Sequence, residues 1–183
     1  MEAKHLSIVE KANKVKVIIT DIDGVLTDGS FGYSESSEVK FFNSQDGQAF
    51  IFAKKLGYII GAISGRSAAA NQRRAKELKF DFIYENISSK SDAFNEVLSK
   101  YKVRAEECLF IGDDIQDVCL VQKAGIGVLT ANAPENLHVY ADIITKKTGG
   151  YGAVREIVDW LVDITGKRSE VLKLYGVEEP NLQ

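Results

Sequence analysis

The architecture of the chain follows from the segment Val15-Lys16-Val17-Ile18-Ile19-Thr20 and from Asp21-Ile22-Asp23-Gly24, which comes directly after it. The first six residues are mostly β-branched and apolar, which is typical of a strand covered on both faces. Both carboxylates come at the carboxyl end of this strand, where open α/β sheets bind their ligands. Gly24 lets the backbone turn and bring Asp23 back over Asp21. The segment therefore predicts a central strand with a polar site at its end.

Short β-rich runs alternate with longer helical patterns along the rest of the chain. Further strands are predicted at 58–63, 82–84, 108–111 and 126–129. Helices are predicted at about 46–56, 67–79, 90–101, 114–123 and 150–164. This alternation predicts an α/β fold, a doubly wound, Rossmann-like parallel sheet with helices on both faces.

One segment, at about residues 30–42, breaks the alternation. Phe31 and Tyr33, and Val39 and Phe41 across a polar turn, alternate with polar or small residues. This pattern is typical of a protruding β-hairpin. Because a lone hairpin is marginal in water, its apolar face should pack on its own domain or on another subunit, and the pattern favours neither.

Composition limits the classes of function. The 183 residues include 23 Lys and Arg against 26 Asp and Glu, with no basic stripe, so neither a nucleic acid nor a membrane surface is expected as a partner. No apolar run approaches roughly 18 residues, and the N-terminus lacks a secretory signal, so we expect a cytoplasmic protein. We expect a single domain over residues 1–166 and a flexible C-terminal tail over 167–183.

Five carboxylates crowd into two short segments: Asp21 and Asp23, and then Asp113, Asp114 and Asp117 after another apolar strand. In one cleft they would repel, and a divalent cation would neutralise them. Oxygen ligands without a His or Cys cluster favour Mg²⁺. Asp113 is the best ligand of the second segment, because Asp114 and Asp117 also suit the cap and first turn of a helix. Taken alone, Asp21-Ile22-Asp23-Gly24 would also fit an Asx turn that closes a strand.

Two other segments could bind a phosphate. Ser64-Gly65-Arg66 follows the strand at 58–63 and offers a hydroxyl, an open glycine amide and a helix N-terminus. Lys90 lies in the first turn of a predicted helix, where a cation is unfavourable unless an anion lies in front of it.

In this order, Asp21-Ile-Asp23-Gly24, Ser64-Gly65-Arg66, Lys90 and Gly112-Asp113-Asp114 resemble the four motifs of the haloacid dehalogenase superfamily of phosphatases. The resemblance implies that Asp21 is the nucleophile and that Asp23 is the acid and base. It implies that Mg²⁺ is the cofactor, held by Asp21, Asp23 (through its backbone carbonyl) and Asp113. The residues implied to bind the phosphoryl group are Ser64, Gly65 and Lys90.

The hairpin, the loop after it and the Gly149–Glu156 segment resemble more narrowly the 3-deoxy-D-manno-octulosonate 8-phosphate phosphatases. That family lacks a separate cap domain and forms homotetramers through the hairpin. The resemblance implies a phosphorylated sugar acid as substrate, with contacts from Asp23, Asn43, Ser44, Gln45, Asp46, Gly47, Arg66, Arg74 and Lys90. Gln45 and Ile51 stand where that family usually has arginines, so a nine-carbon ulosonate 9-phosphate stays open as the substrate.

Two other classes of protein share some of these features. A phospho-accepting receiver domain also places acids and a lysine on a doubly wound sheet, but its consecutive acidic pair follows the first strand rather than a late one. A non-catalytic oligomerisation domain would give no reason for five carboxylates that repel one another. The sequence therefore favours a phosphatase.

Overall fold

A computed structural model describes residues 7–35 and 38–178 of the chain. The strands are β1 Val17–Thr20, β2 Gly32–Tyr33, β3 Glu38–Val39, β4 Ile59–Ile63, β5 Phe82–Tyr84, β6 Cys108–Gly112, β7 Ile126–Leu129 and β8 Ile143–Ile144. The helices are α1 Ile8–Ala12, α2 Ser44–Lys55, α3 Ala69–Glu77, α4 Lys90–Tyr101, α5 Val118–Lys123, α6 Ala153–Ile164 and α7 Arg168–Lys173. Short 3-10 turns cover Ala105–Glu107, Ile115–Asp117 and Glu135–Tyr140.

The main sheet has six parallel strands in the order β5-β4-β1-β6-β7-β8. Strand β1 lies inside this sheet between β4 and β6, with Val17 opposite both Ile59 and Cys108. All four β1 residues are buried, which explains their continuous apolar character. The central strand and the doubly wound fold predicted from the sequence are confirmed.

Alternate residues of β1 supply two separate hydrophobic cores. Ile18 packs in a core with Phe50 of α2 and Leu161 of α6. Val17 and Ile19 point to the other face and pack in a core that includes side chains of α4 and α5. The period of two in a strand thus produces three layers, helix–sheet–helix. No helix within the described ranges is long and apolar enough to cross a bilayer.

The hairpin consists of β2 and β3, which pair in antiparallel fashion after the loop that follows β1. Part of the turn joining them lies outside the described residues. Its predicted apolar residues are covered to different extents: Tyr33 is 77% exposed and Phe41 is 82% exposed, whereas Phe31 is 37% and Val39 40% exposed. The Phe31 ring lies against Arg66 of the same chain, so packing on the same chain covers part of this face and leaves Tyr33 and Phe41 open.

The segment expected to be a flexible tail begins with a helix instead. Helix α7 covers Arg168–Lys173, and its Val171 is buried in the core next to α6. Tyr175, just after the helix, accepts a hydrogen bond from Gln48 of α2 and lies under the ammonium of Lys55. A single buried valine in a polar segment was too weak a signal to predict this helix. Residues 179–183 of the expected tail lie outside the described residues.

Asp46 joins α2 to the start of α6. Its carboxylate is buried and accepts hydrogen bonds from the backbone N–H groups of Gly152 (3.2 Å) and Arg155 (2.7 Å). Gly152 has no side chain with which to cap α6, so Asp46 supplies the cap from another helix. Asp46 was expected to contact substrate, but both of its oxygens are engaged by backbone amides.

We expect Asp46→Ala to lower the free energy of unfolding by about 2 kcal/mol, because it leaves two backbone donors at the α6 N-terminus without their acceptor. Urea denaturation followed by circular dichroism measures the effect. Asp92→Ala, which removes an exposed acid from the first turn of α4, is the matched control and should cost about 0.5 kcal/mol or less. Equal losses in the two variants would contradict this role of Asp46.

Candidate active site

Asp21 and Asp23 leave the carboxyl end of β1 in the middle of the sheet. The Asp21 N–H donates to the carbonyl of Ile111 at 2.9 Å, so this residue continues the ladder with β6, and its side chain is buried. Gly24 has φ +84°, and a Cβ at this position would lie 2.0 Å from Asp113 Oδ2. Glycine is therefore required here both for the turn and for the approach of the second acidic segment.

Asp117 organises the loop after β6. It is fully buried, and its Oδ2 accepts hydrogen bonds from the backbone N–H groups of Asp113 (2.9 Å) and Asp114 (3.2 Å). Asp114 caps the 3-10 turn through a hydrogen bond from the Ile115 N–H at 2.6 Å. The capping expected for Asp114 and Asp117 is thus present. These bonds fix the loop that carries Asp113.

Lys90 is the first residue of α4 and is buried between two carboxylates. Its Nζ lies 2.9 Å from Asp21 Oδ2 and 2.6 Å from Asp117 Oδ1. Burial alone would lower the pKa of Lys90, but the two carboxylates outweigh this effect and raise the pKa above its ordinary value. The anion that the sequence analysis required in front of Lys90 is therefore supplied, in part, by the protein itself.

The same carboxylates leave oxygens suited to a metal ion. One oxygen each from Asp21, Asp113 and Asp117 lie within 4.8 Å of one another. Asp117 is already bonded through both oxygens, whereas Asp21 Oδ1 and Asp113 Oδ1 are buried and lack a hydrogen-bond partner among the described residues. Buried oxygen atoms without donors, in a site without His or Cys, fit Mg²⁺.

The pKa values of these two carboxyls are raised for the same reason. Burial, followed by the charge of Asp117, raises the pKa of Asp21 to about 7, although Lys90 opposes the shift. Burial and the charges of Asp117, Asp21 and Asp114 raise the pKa of Asp113 to about 8. A bound cation would offset the repulsion that causes both shifts.

Ser64-Gly65-Arg66 lies at the end of β4, next to β1. Ser64 is buried and its Oγ accepts a hydrogen bond from the Arg66 N–H at 3.3 Å, whereas Gly65 is exposed. The Arg66 guanidinium pairs with Glu38 Oε2 at 2.7 Å and lies 4.1 Å from the centroid of the Phe31 ring. Arg66 is thereby held beside the hairpin.

Lys40 is a site residue that the sequence analysis missed. Its Nζ lies 2.5 Å from Asp23 Oδ1, and its side chain is completely buried. The signal was present in the alternation of the hairpin, because Val39 and Phe41 point outward and Lys40, between them, must point inward.

The predicted sugar-binding residues lie around the start of α2. Asn43 caps α2, with its Oδ1 accepting the Gln45 N–H at 2.7 Å, and Ser44 and Gln45 are exposed there. The Arg74 guanidinium donates to the Asn43 carbonyl at 3.1 Å and lies against Gly47, where a Cβ would meet it at 2.3 Å.

A pocket of about 490 Å³ opens between the hairpin and α3, beside these residues. Its lining includes Glu38, Lys40, Phe42, Arg73 and Arg74. Lys40, which contacts Asp23, links the lining of this pocket to the acid pair after β1. The wall of the pocket combines cationic, acidic and aromatic side chains.

The chain is similar to known phosphate-ester hydrolases in sequence and in structure. Residues 81–157 match the family model for haloacid dehalogenase-like hydrolases. The chain is 34% identical, over 89% of its length and 87% of the relative, to the 3-deoxy-D-manno-octulosonate 8-phosphate phosphatase of Escherichia coli (strain K12).

Two solved structures are similar over most of the chain. One is the phosphatase of that name from Moraxella catarrhalis, in complex with magnesium ion, phosphate ion and a KDO molecule (TM-score 0.88, 35% identity, 92% of this chain and 97% of that one). The other is the cobalt-bound deoxy-D-mannose-octulosonate 8-phosphate phosphatase of Haemophilus influenzae (TM-score 0.84, 31% identity, 87% of this chain and 94% of that one).

The raised pKa values predict how pH and Mg²⁺ change stability. Asp21 and Asp113 keep their protons in the folded state up to about pH 7 and 8, while the unfolded chain loses them near pH 4, so these groups make metal-free protein less stable as pH rises from about 4 to 8. Mg²⁺ binds the ionised pair, so it should raise Tm more at pH 8 than at pH 6. Thermal denaturation with Mg²⁺ or with EDTA measures this difference.

The matched variants are Asp113→Asn and Asp92→Asn. Asp113→Asn should increase the Tm of the metal-free protein at pH 8 and abolish the gain from Mg²⁺, because it removes one charge and one ligand. Asp92→Asn, on the exposed face of α4, should behave as wild type. A Mg²⁺ gain of equal size in Asp113→Asn would refute the assigned ligands.

Proposed function

The chain belongs to the haloacid dehalogenase-like hydrolases and, within them, to the 3-deoxy-D-manno-octulosonate 8-phosphate phosphatases, and from this premise we propose that it is a Mg²⁺-dependent phosphatase of a phosphorylated sugar acid. One observation carries the proposal: buried oxygens of Asp21 and Asp113, without a hydrogen-bond partner in the described part of the chain, lie beside Lys90 at the carboxyl end of the central strands. A nucleophile, a cation site and a phosphate-binding ammonium are thus adjacent.

Phosphoryl transfer begins at Asp21. One of its carboxylate oxygens forms a bond to phosphorus as the bond between phosphorus and the sugar oxygen breaks. Asp23 gives its proton to the departing sugar oxygen. The free sugar acid leaves, and the phosphoryl group remains on Asp21 as an acyl phosphate. Asp21, the Asp23 carbonyl and Asp113 would hold Mg²⁺, which would supply positive charge to stabilise the phosphoryl oxygens.

Hydrolysis of the aspartyl phosphate uses the same residues in the opposite sense. Asp23, now ionised, takes a proton from water, whose oxygen bonds to phosphorus as the bond to Asp21 breaks. Inorganic phosphate leaves, and both carboxylates return to their starting states. Ser64, Gly65 and Lys90 bind the phosphoryl oxygens in both steps, since a hydroxyl, an exposed amide and an ammonium are suited to that charge.

We assign the octulosonate 8-phosphate as the substrate. This choice is supported by the names of the relatives and by the KDO molecule bound in the Moraxella catarrhalis structure. Arg66 and Arg74 are suited to a sugar carboxylate, because a guanidinium binds a carboxylate through two hydrogen bonds. The remaining sugar contacts come from the Asn43–Gly47 loop, with Ser44 and Gln45 exposed toward solvent.

One observation keeps a second substrate in view. Gln45 and Ile51 stand where arginines are usual in the octulosonate enzymes, so two cationic contacts are absent. Both residues are exposed on α2, and the loss changes sugar recognition without altering the carboxylate centre. A nine-carbon ulosonate 9-phosphate is therefore the alternative substrate.

Phosphate release from a panel of phosphorylated sugar acids, with and without Mg²⁺, tests the proposed function. We expect turnover only with Mg²⁺ and a kcat/KM for the eight-carbon substrate that exceeds that for the nine-carbon one. Asp21→Asn should reduce turnover by at least about 10⁴-fold while leaving the fold intact, since the nucleophile is lost. Full activity in Asp21→Asn would disprove the mechanism. A higher kcat/KM for the nine-carbon than for the eight-carbon substrate would make the nine-carbon compound the assigned substrate.

The hairpin is proposed to join subunits in a homotetramer. Tyr33, Val39 and Phe41 expose apolar surface on the side of this two-stranded element opposite the buried Lys40. An apolar face of this kind is typical of an interface between copies. Continuous packing between hairpins would exclude water from all three side chains.

Phe41→Asp should dissociate the assembly, because it places a charge in the middle of the proposed interface. Sedimentation velocity measures the mass. Val139→Asp is the matched control, since Val139 is equally exposed (81%) but lies outside the hairpin, and it should leave the mass unchanged. A monomeric wild-type protein, or an intact tetramer in Phe41→Asp, would exclude the hairpin interface.

A further inference from the structure

The hairpin carries a lysine that the mechanism above does not use. Lys40 follows β3, and its ammonium is enclosed by three groups: Asp23 Oδ1 at 2.5 Å, Glu38 Oε1 at 3.4 Å and the centroid of the Phe31 ring at 5.5 Å. A buried ammonium is costly unless it is paired, so these contacts determine where Lys40 lies. A buried cation on the acid–base carboxylate needs a functional explanation.

The two oxygens of Asp23 have different surroundings. Oδ1 accepts the hydrogen bond from Lys40. Oδ2 is buried and has no hydrogen-bond partner within the described part of the chain, and Arg66 Nε, at 3.9 Å, is beyond hydrogen-bond distance. One oxygen is therefore anchored, and the other is available to exchange a proton.

We infer that Lys40 is a positioning residue for proton transfer: it anchors Oδ1 of Asp23 and so directs Oδ2 toward the leaving oxygen and the attacking water. The inference rests on the proposed phosphatase activity. A charge-assisted hydrogen bond restricts the rotation of the carboxylate. Because a misplacement of about 1 Å can cost about 10²-fold in rate, this restriction is large enough to matter.

Glu38 connects this anchor to Arg66. Its Oε1 lies 3.4 Å from Lys40 Nζ, and its Oε2 lies 2.7 Å from the Arg66 guanidinium. When Asp23 is ionised, Asp23, Glu38, Lys40 and Arg66 together carry two negative and two positive charges. Since Glu38 and Lys40 both belong to the hairpin, the position of the hairpin sets the direction of the acid–base carboxylate.

Lys40→Met tests the inference, because methionine keeps the shape of the side chain and removes the anchor. On octulosonate 8-phosphate, kcat should fall about 100-fold, with KM changed less than about twofold. Lys54→Met is the matched control: it removes a lysine–aspartate pair with Asp81, at the opposite end of α2 from the site, and should keep wild-type kcat. Mg²⁺ should raise the Tm of both variants as in wild type.

The decisive readout uses 4-nitrophenyl phosphate. Its leaving group needs no proton, so transfer to Asp21 should keep its rate in Lys40→Met, while hydrolysis of the aspartyl phosphate, which needs Asp23, should slow. Stopped-flow absorbance should then show a burst of nitrophenolate, about one per active site, that wild type lacks. A purely structural defect would slow both steps and give no burst.

An unchanged kcat in Lys40→Met, or a lower kcat without a burst, would overturn the inference. If Lys40→Met does not fold, Glu38→Gln decides the question, because it loosens Lys40 and leaves Asp23 in place. That variant should lose about tenfold in kcat and show the same burst, and the absence of a burst would again overturn the inference. Wild-type enzyme that releases no phosphate would instead reject the proposed function itself.

Discussion

The buried ammonium of Lys90, held between Asp21 and Asp117, is the interaction on which the rest of the site depends. Without it, the buried carboxylates of Asp21 and Asp117 and the half-buried one of Asp113 would face one another in a medium that screens charge poorly. Asp117 in turn accepts the backbone amides of Asp113 and Asp114, so the same contact fixes the loop after β6. Asp21 Oδ1 and Asp113 Oδ1 have no hydrogen-bond partner among the described residues, and buried oxygens of this kind suit a divalent cation.

A second buried ammonium, that of Lys40, pairs with the neighbouring carboxylate of Asp23. Lys90 is the first residue of α4 and contacts Asp21, whereas Lys40 lies in the hairpin and contacts Asp23. Each lysine leaves one oxygen of its carboxylate without a hydrogen-bond partner among the residues the structure describes. Two carboxylates only two residues apart thereby acquire separate surroundings, which is what separate roles require.

Much of the fold could be predicted from the sequence, because the central strands are buried on both faces and read as continuous apolar runs. Strands β1, β4, β6 and β7 were predicted to within two residues at each end. Strand β8, at the edge of the sheet, has only two residues and gave no usable pattern. Helix α1 was also missed, although the Ser7 and Glu10 capping box marks its start.

The sequence was enough to predict which groups meet at the site, because the carboxylates, Ser64 and Lys90 follow strand ends or begin helices, and parallel strands bring those positions to one edge. The pairing of these groups depends on the tertiary structure. That structure buried Lys40 against Asp23, engaged Asp46 with α6 and left the apolar face of the hairpin exposed. These contacts join residues that are distant along the chain, and a local pattern of side chains carries no information about such partners.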